Sequence, residues 1–413
     1  MNESSRLSRL RRNKRDTKAQ WRRDAAHSVP LRRKNIIIGR CIAISREIFI
    51  APSRYVQGEG AIFDIGTYVK ALGHSACVIG GKSSLAATRE GRERSFADEG
   101  LRQGEALFRG ESSDSEIDRL ADIARGESRE VIVACGGGKA IDAAKAVAAC
   151  LGLPVAIVPT VASNDSPCSA LSVIYDEGGA FKRIQNHGKN PDLVLADTAV
   201  IARAPVRHLV SGMGDALATW YEADACRRSG ASAPAGGKAT GAALALARLC
   251  RDTLFEHGPG AVAACEEKKP TPALERIVEA NILLSGLGFE SAGVALAHAL
   301  SEGFAIALGG HSRSHGEMVA FGLLAQLALE GRPRREIREV MEFCRSVRLP
   351  ITLRELGADG MGHGALRTAA EISAEEGRPS HNMPFSVDAD SIMAAIIEAD
   401  ARGRELEGER DDA

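Results

Sequence analysis

Residues 131–160 read VIVACGGGKAIDAAKAVAACLGLPVAIVPT. A short apolar run, 131–135, meets three glycines and a lysine; apolar residues then recur at helical spacing over 139–152, and a second apolar run follows at 154–160. Strand, helix and strand joined by tight turns make a βαβ unit, whose two strands are parallel and whose helix covers one face of their sheet. Gly136, Gly137 and Gly138 fall where the strand hands over to the helix. Glycine lets backbone amides approach an anion with no Cβ in the way, and a helix N-terminus offers unpaired N–H groups and partial positive charge. The turn therefore suits a dinucleotide's diphosphate, although a tight turn with no ligand would also select glycine. Lys139 can add a point charge to a diphosphate or simply stand in solvent. Asp142, one turn in, can orient the loop or complement the helix dipole.

The same texture extends upstream. IFIAP (48–52) predicts a strand, IFDIGTYVKALG (62–73) a helix closed by a left-handed Gly73, SACVIGG (75–81) a strand, and SEIDRLADIARGE (115–127) a helix. SFADEGLRQG (95–104) fits neither period. Beyond about Pro205 the β-like runs cease, and ALATWYEADACRR, GKATGAALALARLCRDTLFEH, PALERIVEANILLSGLGFE, MVAFGLLAQLALE and RREIREVMEFCRSV all carry helical periodicity. The expected architecture is an α/β N-terminal domain with a Rossmann-like parallel sheet, residues 46–204, followed by an all-α C-terminal domain, residues 205–400. Residues 1–45 form a basic extension outside the fold, or a start placed too early, and residues 401–413 a polar tail that frays.

At 413 residues the chain is too long for one ordinary core. Lys plus Arg number 53 and Asp plus Glu 54, a balance that argues against nucleic acid as the main partner. Residues 1–34 hold twelve basic side chains against three acidic ones, a net of +9; since the chain sums to −1, the remaining 379 residues carry −10. Nine cysteines occur singly with no CxxC pair, which reads as reduced thiols in a cytoplasmic protein. No run of eighteen apolar residues appears, so no membrane span is expected.

Three residues downstream have the chemistry of a divalent metal site. They are Asp215 in SGMGDALATWYEA, His298 in GVALAHALSEGF and His315 in HSRSHGEMVAFG. One carboxylate and two imidazoles give three ligands and leave a coordination position for a substrate oxygen. Each has an ordinary explanation as well. Asp215, after Gly212 and Gly214, reads as opening a helix and could be its N-cap; His298 could be a hydrogen-bonded core residue; His311 and His315 are four apart and would share a face if helical.

Taken together, IAPSRYVQGEGA, GGGKAIDAAKAVA, LPVAIVPTVASNDSPCSALSVIYDEGG, KNPDLVLADTAVIARAPVRHLVSGMGDALATWYEA and HGEMVAFG resemble the iron-containing and zinc-using alcohol dehydrogenases, and among them the glycerol dehydrogenases. The resemblance runs from about Ile48 to about Asp400. It implies the dehydroquinate synthase-like architecture of that superfamily, with NAD on the N-terminal domain. It also implies a metal, Zn²⁺ or alternatively Fe²⁺, held by Asp215, His298 and His315, and a homo-oligomer between dimer and octamer. Gly136, Gly138 and Lys139 would lie along the diphosphate, with Gly137 and Asp142 in the same turn and Thr160, Ser169, Leu171 and Tyr175 around the rest of the coenzyme. Asp165, within Ser163-Asn164-Asp165-Ser166-Pro167, would touch a substrate hydroxyl, and His311 would line the cleft or stand behind the ligands.

Two departures from the family pattern bear on specificity. Where an acidic residue usually ends the second strand, this chain has Gly80, Gly81 and Lys82, which opens NADP as an alternative coenzyme. Ser301 and Glu302 follow His298 where glycerol dehydrogenases usually show His and Asn. The reaction implied is oxidation of glycerol or a similar vicinal diol, a small polyol, to the hydroxyketone, dihydroxyacetone for glycerol. Coordination to Zn²⁺ brings even water to a pKa of about 7, so an ion here would acidify the hydroxyl. The alternatives are an NADP-dependent reductase of 2-oxo acids on the same scaffold, a lyase like dehydroquinate synthase, and a module whose basic head binds RNA or an anionic surface.

Overall fold

The computed structural model describes residues 46–308, 313–358, 360 and 362–411. Among them eight strands form: β1 (Tyr55–Gly58), β2 (Ser75–Gly80), β3 (Arg102–Leu107), β4 (Val131–Gly136), β5 (Val155–Pro159), β6 (Leu171–Tyr175), β7 (Phe181–Asn186) and β8 (Leu193–Asp197). Six make one sheet in the order β1-β8-β5-β4-β2-β3, every pair parallel. β6 and β7 form a separate antiparallel hairpin. β2, β4, β5 and β8 are buried at every position, the pattern of strands covered on both faces, which is why their sequences read as unbroken apolar runs.

From β2 the chain goes outward to β3 and then returns to β4 on the opposite side of β2. That reversal opens a crevice beyond the carboxyl ends of β2 and β4, the usual place for a ligand in an open parallel sheet. Gly80 ends β2 there, and a Cβ on it would lie 2.4 Å from the Cys135 carbonyl oxygen, so the close approach of the two strand ends requires glycine.

Among the described residues of the first half, the helices are α1 (Ile65–Lys70), α2 (Lys82–Asp98), α3 (Asp114–Gly126), α4 (Gly138–Leu151) and α5 (Thr198–Ala202). After β8 the elements of the described residues are helices: α6 (Val206–Ser229), α7 (Gly241–Glu266), α8 (Pro272–Glu279), α9 (Ser285–Ala292), α10 (Leu296–Ala307), α11 (His315–Leu329), α12 (Arg334–Ser346), α13 (His363–Ser373) and α14 (Ala389–Asp411). One hydrophobic cluster joins a sheet face (Cys77, Ile79, Ile132, Ala134) to α6, α10 and α11 (Met213, Leu217, Leu300, Phe321), and a second fills the other face around Ile65, Phe96, Val133 and Leu195. Sheet and helical halves share one compact unit, Ser45–Ala413.

Four expectations are corrected. Residues 48–52 are not a strand: Ile48 N–H donates to Lys238 O at 3.1 Å, Ile50 N–H donates to the Ser291 hydroxyl at 3.2 Å, and Pro52 has no N–H to continue a ladder. The helix expected over 62–73 is a 3₁₀ turn (Ala61–Asp64) followed by α1, which stops at Lys70. Gly73 is not left-handed; it is glycine because a Cβ would lie 2.9 Å from both Glu130 Cβ and Val131 Cγ2. Residues 401–411 do not fray but continue α14, held by Arg402–Glu398, Arg354–Glu407 and Arg338–Glu409 ion pairs and by Leu406, which is buried. The basic extension, residues 1–45, lies outside the described residues.

Candidate metal and coenzyme site

The site begins with three glycines that let backbones cross. Asp215 does not open its helix: it is the tenth residue of α6, and Gly212 and Gly214 lie within the same helix. A Cβ on Gly212 would sit 2.0 Å from the Ala162 carbonyl oxygen, and one on Gly214 would sit 2.2 Å from the Gly316 carbonyl oxygen. From the other side, a Cβ on Gly316 would sit 1.7 Å from the Ser211 carbonyl oxygen. No side chain fits at any of the three. Glycine there brings the loop after β5 and the first turn of α11 against α6, delivering Asp165 and His315 to Asp215.

Asp215 is 1% exposed, and its Oδ1 lies 3.3 Å from His298 Nε2 and 3.3 Å from His315 Nε2. Despite those distances that buried oxygen accepts no hydrogen bond among the described residues, and the three ligand atoms all lie within 4.8 Å of one another. Three lone pairs converging on one point, one of them on a buried unpartnered carboxylate oxygen, fit a divalent cation. Asp215 Oδ2 accepts from the Asp165 backbone N–H at 3.3 Å. Burial disfavours the Asp215 carboxylate, but the His315 and His298 rings outweigh that and hold its carboxyl below the usual range. Burial disfavours a charged His298 too, and Glu222 together with Asp215 outweighs it, raising that ring's pKa. Asp165 moves the other way, pushed up first by burial and then by the Asp215 charge. Its Oδ2 accepts from Ser285 Oγ at 3.1 Å, and Ser285 follows a turn of π-helix (Ala280–Leu284), a distortion often found at functional sites.

The glycine turn lies close by. Gly136 ends β4, Gly137 caps α4 without a side chain, and Gly138 begins the helix. A Cβ on Gly138 would lie 2.5 Å from Asn164 Nδ2, so the turn touches the residue next to Asp165. Lys139 Nζ pairs with Glu111 Oε1 at 2.5 Å and stands 5.0 Å above the Tyr175 ring, whose hydroxyl burial pushes up to about 12. Thr160 follows β5 and donates its N–H to Gly136 O at 3.0 Å. Both Asp142 oxygens are already engaged, Oδ1 by Ser166 Oγ at 2.7 Å and Lys145 Nζ at 3.0 Å, Oδ2 by the Val173 N–H at 3.1 Å. Asp142 therefore braces the 166–173 segment. Ser169 is 2% exposed, with its hydroxyl turned to Lys145 at 3.3 Å, and Leu171 contributes its carbonyl oxygen to the same ammonium. Lys82 is exposed at the start of α2, Ser301 donates to the His298 carbonyl at 2.8 Å, and Glu302 is paired with Arg378. His311 lies outside the described residues.

Sequence reasoning missed four buried or paired groups. Glu222 bonds His298, Lys145 holds the 166–171 loop, Glu290 accepts from the Ala170 N–H at 2.7 Å and Asn190 at 2.5 Å, and Glu111 pairs with Lys139. Only Glu222 carried a readable signal: it stands seven residues after Asp215, two turns along the same helix face.

The family profile of iron-containing alcohol dehydrogenases matches residues 52–198. The chain is 48% identical to a glycerol dehydrogenase of Escherichia coli O6:H1 over 86% of its own length and 97% of that protein, and 42% identical to a glycolaldehyde reductase of Halobacterium salinarum over 87% and 98%. A solved glycerol dehydrogenase structure from Schizosaccharomyces pombe superimposes with a TM-score of 0.86 at 37% identity, covering 89% of this chain and 93% of that one.

Proposed function

The chain belongs to the iron-containing alcohol dehydrogenase family, and from that premise we propose that it oxidises glycerol, or a closely similar vicinal diol, to the hydroxyketone while reducing NAD. The observation that carries this reading is the buried, unpartnered Asp215 Oδ1 facing two imidazole nitrogens, one loop away from the glycine turn. Asp215 Oδ1, His298 Nε2 and His315 Nε2 would hold Zn²⁺, with Fe²⁺ as the alternative ion. A divalent ion there supplies Lewis acidity, lowering the pKa of the substrate hydroxyl toward neutrality.

This chain's own side chains do the rest. Ser285 occupies Asp165 Oδ2, which leaves Oδ1 for the neighbouring hydroxyl of the diol and so selects substrates with two adjacent oxygens. Asn164, against Gly138, keeps the coenzyme turn and the substrate-holding loop in register, so that the carbon losing hydride faces the nicotinamide. Asp142 and Lys145 hold the 166–173 segment that flanks the coenzyme. Residues 46–204 serve as the coenzyme domain and residues 205–400 as the metal domain of a cytoplasmic homo-oligomer. Among the described residues no single helix is long and apolar enough to cross a membrane.

A second coenzyme reading has its own observation. β2 ends in Gly80 with no carboxylate to bind ribose hydroxyls or repel a 2′-phosphate, and the exposed Lys82 stands two residues on, at the start of α2. NADP is therefore tested beside NAD.

The experiment is coenzyme reduction followed by absorbance, with glycerol, 1,2-propanediol and 2-hydroxy acids, each with NAD and NADP, after loading with Zn²⁺ or Fe²⁺. Glycerol with NAD is expected to be turned over, chelator to abolish the rate, and His298→Ala to lower it by about 10²-fold or more. A His298→Ala enzyme that keeps full activity after chelation rejects the metal reading. Turnover of hydroxy acids alone, or no net coenzyme reduction, rejects the diol in favour of the 2-oxo acid reductase or the lyase.

A further inference from the structure

We infer that Glu222 is the positioning residue that presents His298 to the metal, fixing the ring's tautomer and anchoring the start of the helix that carries it. This rests on the reading of His298 as a ligand. Glu222 is fully buried on α6. Its Oε2 lies 2.5 Å from His298 Nδ1, while Oε1 accepts from the backbone N–H of Ala295 at 2.8 Å and of His298 at 3.0 Å. Ala295 is the N-cap of α10 and has no side chain that could cap it. Glu222 therefore meets, from a different helix, amides that a capping side chain would otherwise meet.

The same carboxylate determines where the ring proton sits. An ionised carboxylate can only accept, so the hydrogen shared with the ring belongs to Nδ1. In the neutral imidazole the lone pair is then on Nε2, the atom 3.3 Å from Asp215 Oδ1. The ring cannot turn over without leaving a fully buried carboxylate oxygen unpaired, so it is held in this orientation. Among the described residues the His298 ring is the only side chain paired with Glu222, so the carboxylate acts on that ring and increases its basicity as a ligand.

Glu222→Gln separates the two roles. Gln keeps an oxygen for the Ala295 and His298 amides but turns an NH₂ group toward Nδ1, which must then accept; the ring proton moves to Nε2 and blocks it. Zn²⁺ affinity is measured on the full chain by competition with a chromogenic chelator, and thermal unfolding on the metal-free protein. The expected result is a loss of Zn²⁺ affinity of roughly 10–100-fold with the metal-free melting temperature close to wild type. Unchanged affinity overturns the inference, and unchanged affinity with a lower metal-free melting temperature assigns Glu222 to helix capping alone. Should the variant not fold, NMR of ¹⁵N-histidine-labelled, metal-free wild type decides, read at a pH where the ring is neutral: a proton on Nδ1 of His298 supports the inference, and a proton on Nε2 overturns it. A wild type that takes up no Zn²⁺ overturns the ligand reading and this inference together, whereas a wild type and Glu222→Gln that bind equally overturn only the inference.

Discussion

His187 shows what a single buried ring does to stability away from the metal. Its Nε2 is 2.7 Å from Ser172 Oγ, which donates to the Asp142 carbonyl at 2.9 Å, and its Nδ1 is buried without a partner. Burial, and then the Lys145 charge, lower its pKa from 6.5 to about 4. The unfolded chain takes up a proton at about 6.5 while the folded one resists until about 4, so this contribution is complete above pH 6.5 and is lost as the pH falls through that window. Urea unfolding at pH 7 and pH 5 is expected to show wild type losing about 1–2 kcal/mol more than His187→Gln. Equal losses in the two proteins would remove His187 as the cause. Residue identity was legible for Asp215, His298 and His315 because their chemistry is distinctive. It was not legible for Lys145 or Glu290, since Lys and Glu are ordinarily surface residues and only the folded chain shows both to be buried.

At the scale of elements, the approach of α6 to α11 has least room to spare, and it carries a prediction. Gly214→Ala puts a methyl group 2.2 Å from a carbonyl oxygen in a packed interior, which overpacking makes worth about 1–3 kcal/mol of lost stability. Because the same shift moves His315 away from Asp215, Zn²⁺ affinity is expected to fall with it. Gly126→Ala, with nothing within 4 Å of the added methyl, is the control and should leave both unfolding midpoint and affinity near wild type. Elements buried on both sides were readable as apolar runs, hence β2, β4 and β5. α2 and β3 were not: α2 is rich in charge, and its place in the fold depends on Arg92, fully buried and paired with Glu105 of β3 at 2.5 Å, a partnership thirteen residues apart that no local period reveals. The glycines of SGMGD were legible as glycines but misread as a helix start, because their purpose lies in backbones from residues 162 and 316.

For the whole molecule, metal binding and folding are linked, since the unfolded chain has no preformed site. Free Zn²⁺ at a hundred times its Kd would stabilise the native state by about 2.7 kcal/mol, so chelation is expected to lower the melting temperature and added Zn²⁺ to restore it. A melting temperature indifferent to both would leave the convergence of Asp215, His298 and His315 without a metal to explain it. The basic head is separable by charge: removing residues 1–34 deletes a net +9. Deletion is expected to abolish retention on heparin and leave coenzyme reduction unchanged; a fall in activity would bring the head into the enzyme's mechanism.

What the amino-acid sequence determined unaided was everything written in local periodicity and in residue chemistry. That includes the strand–glycine–helix unit at 131–152, the change from strands to helices after about residue 205, and the three metal-ligating residue types. What only the tertiary structure decided was convergence. Asp215 and His315 lie a hundred residues apart, and whether they meet depends on the distance between two helix backbones, a distance set by the side chains absent at Gly214 and Gly316. Periodicity reports which face of an element is apolar; it carries no information about how closely that face approaches another, because close packing is a property of pairs of surfaces.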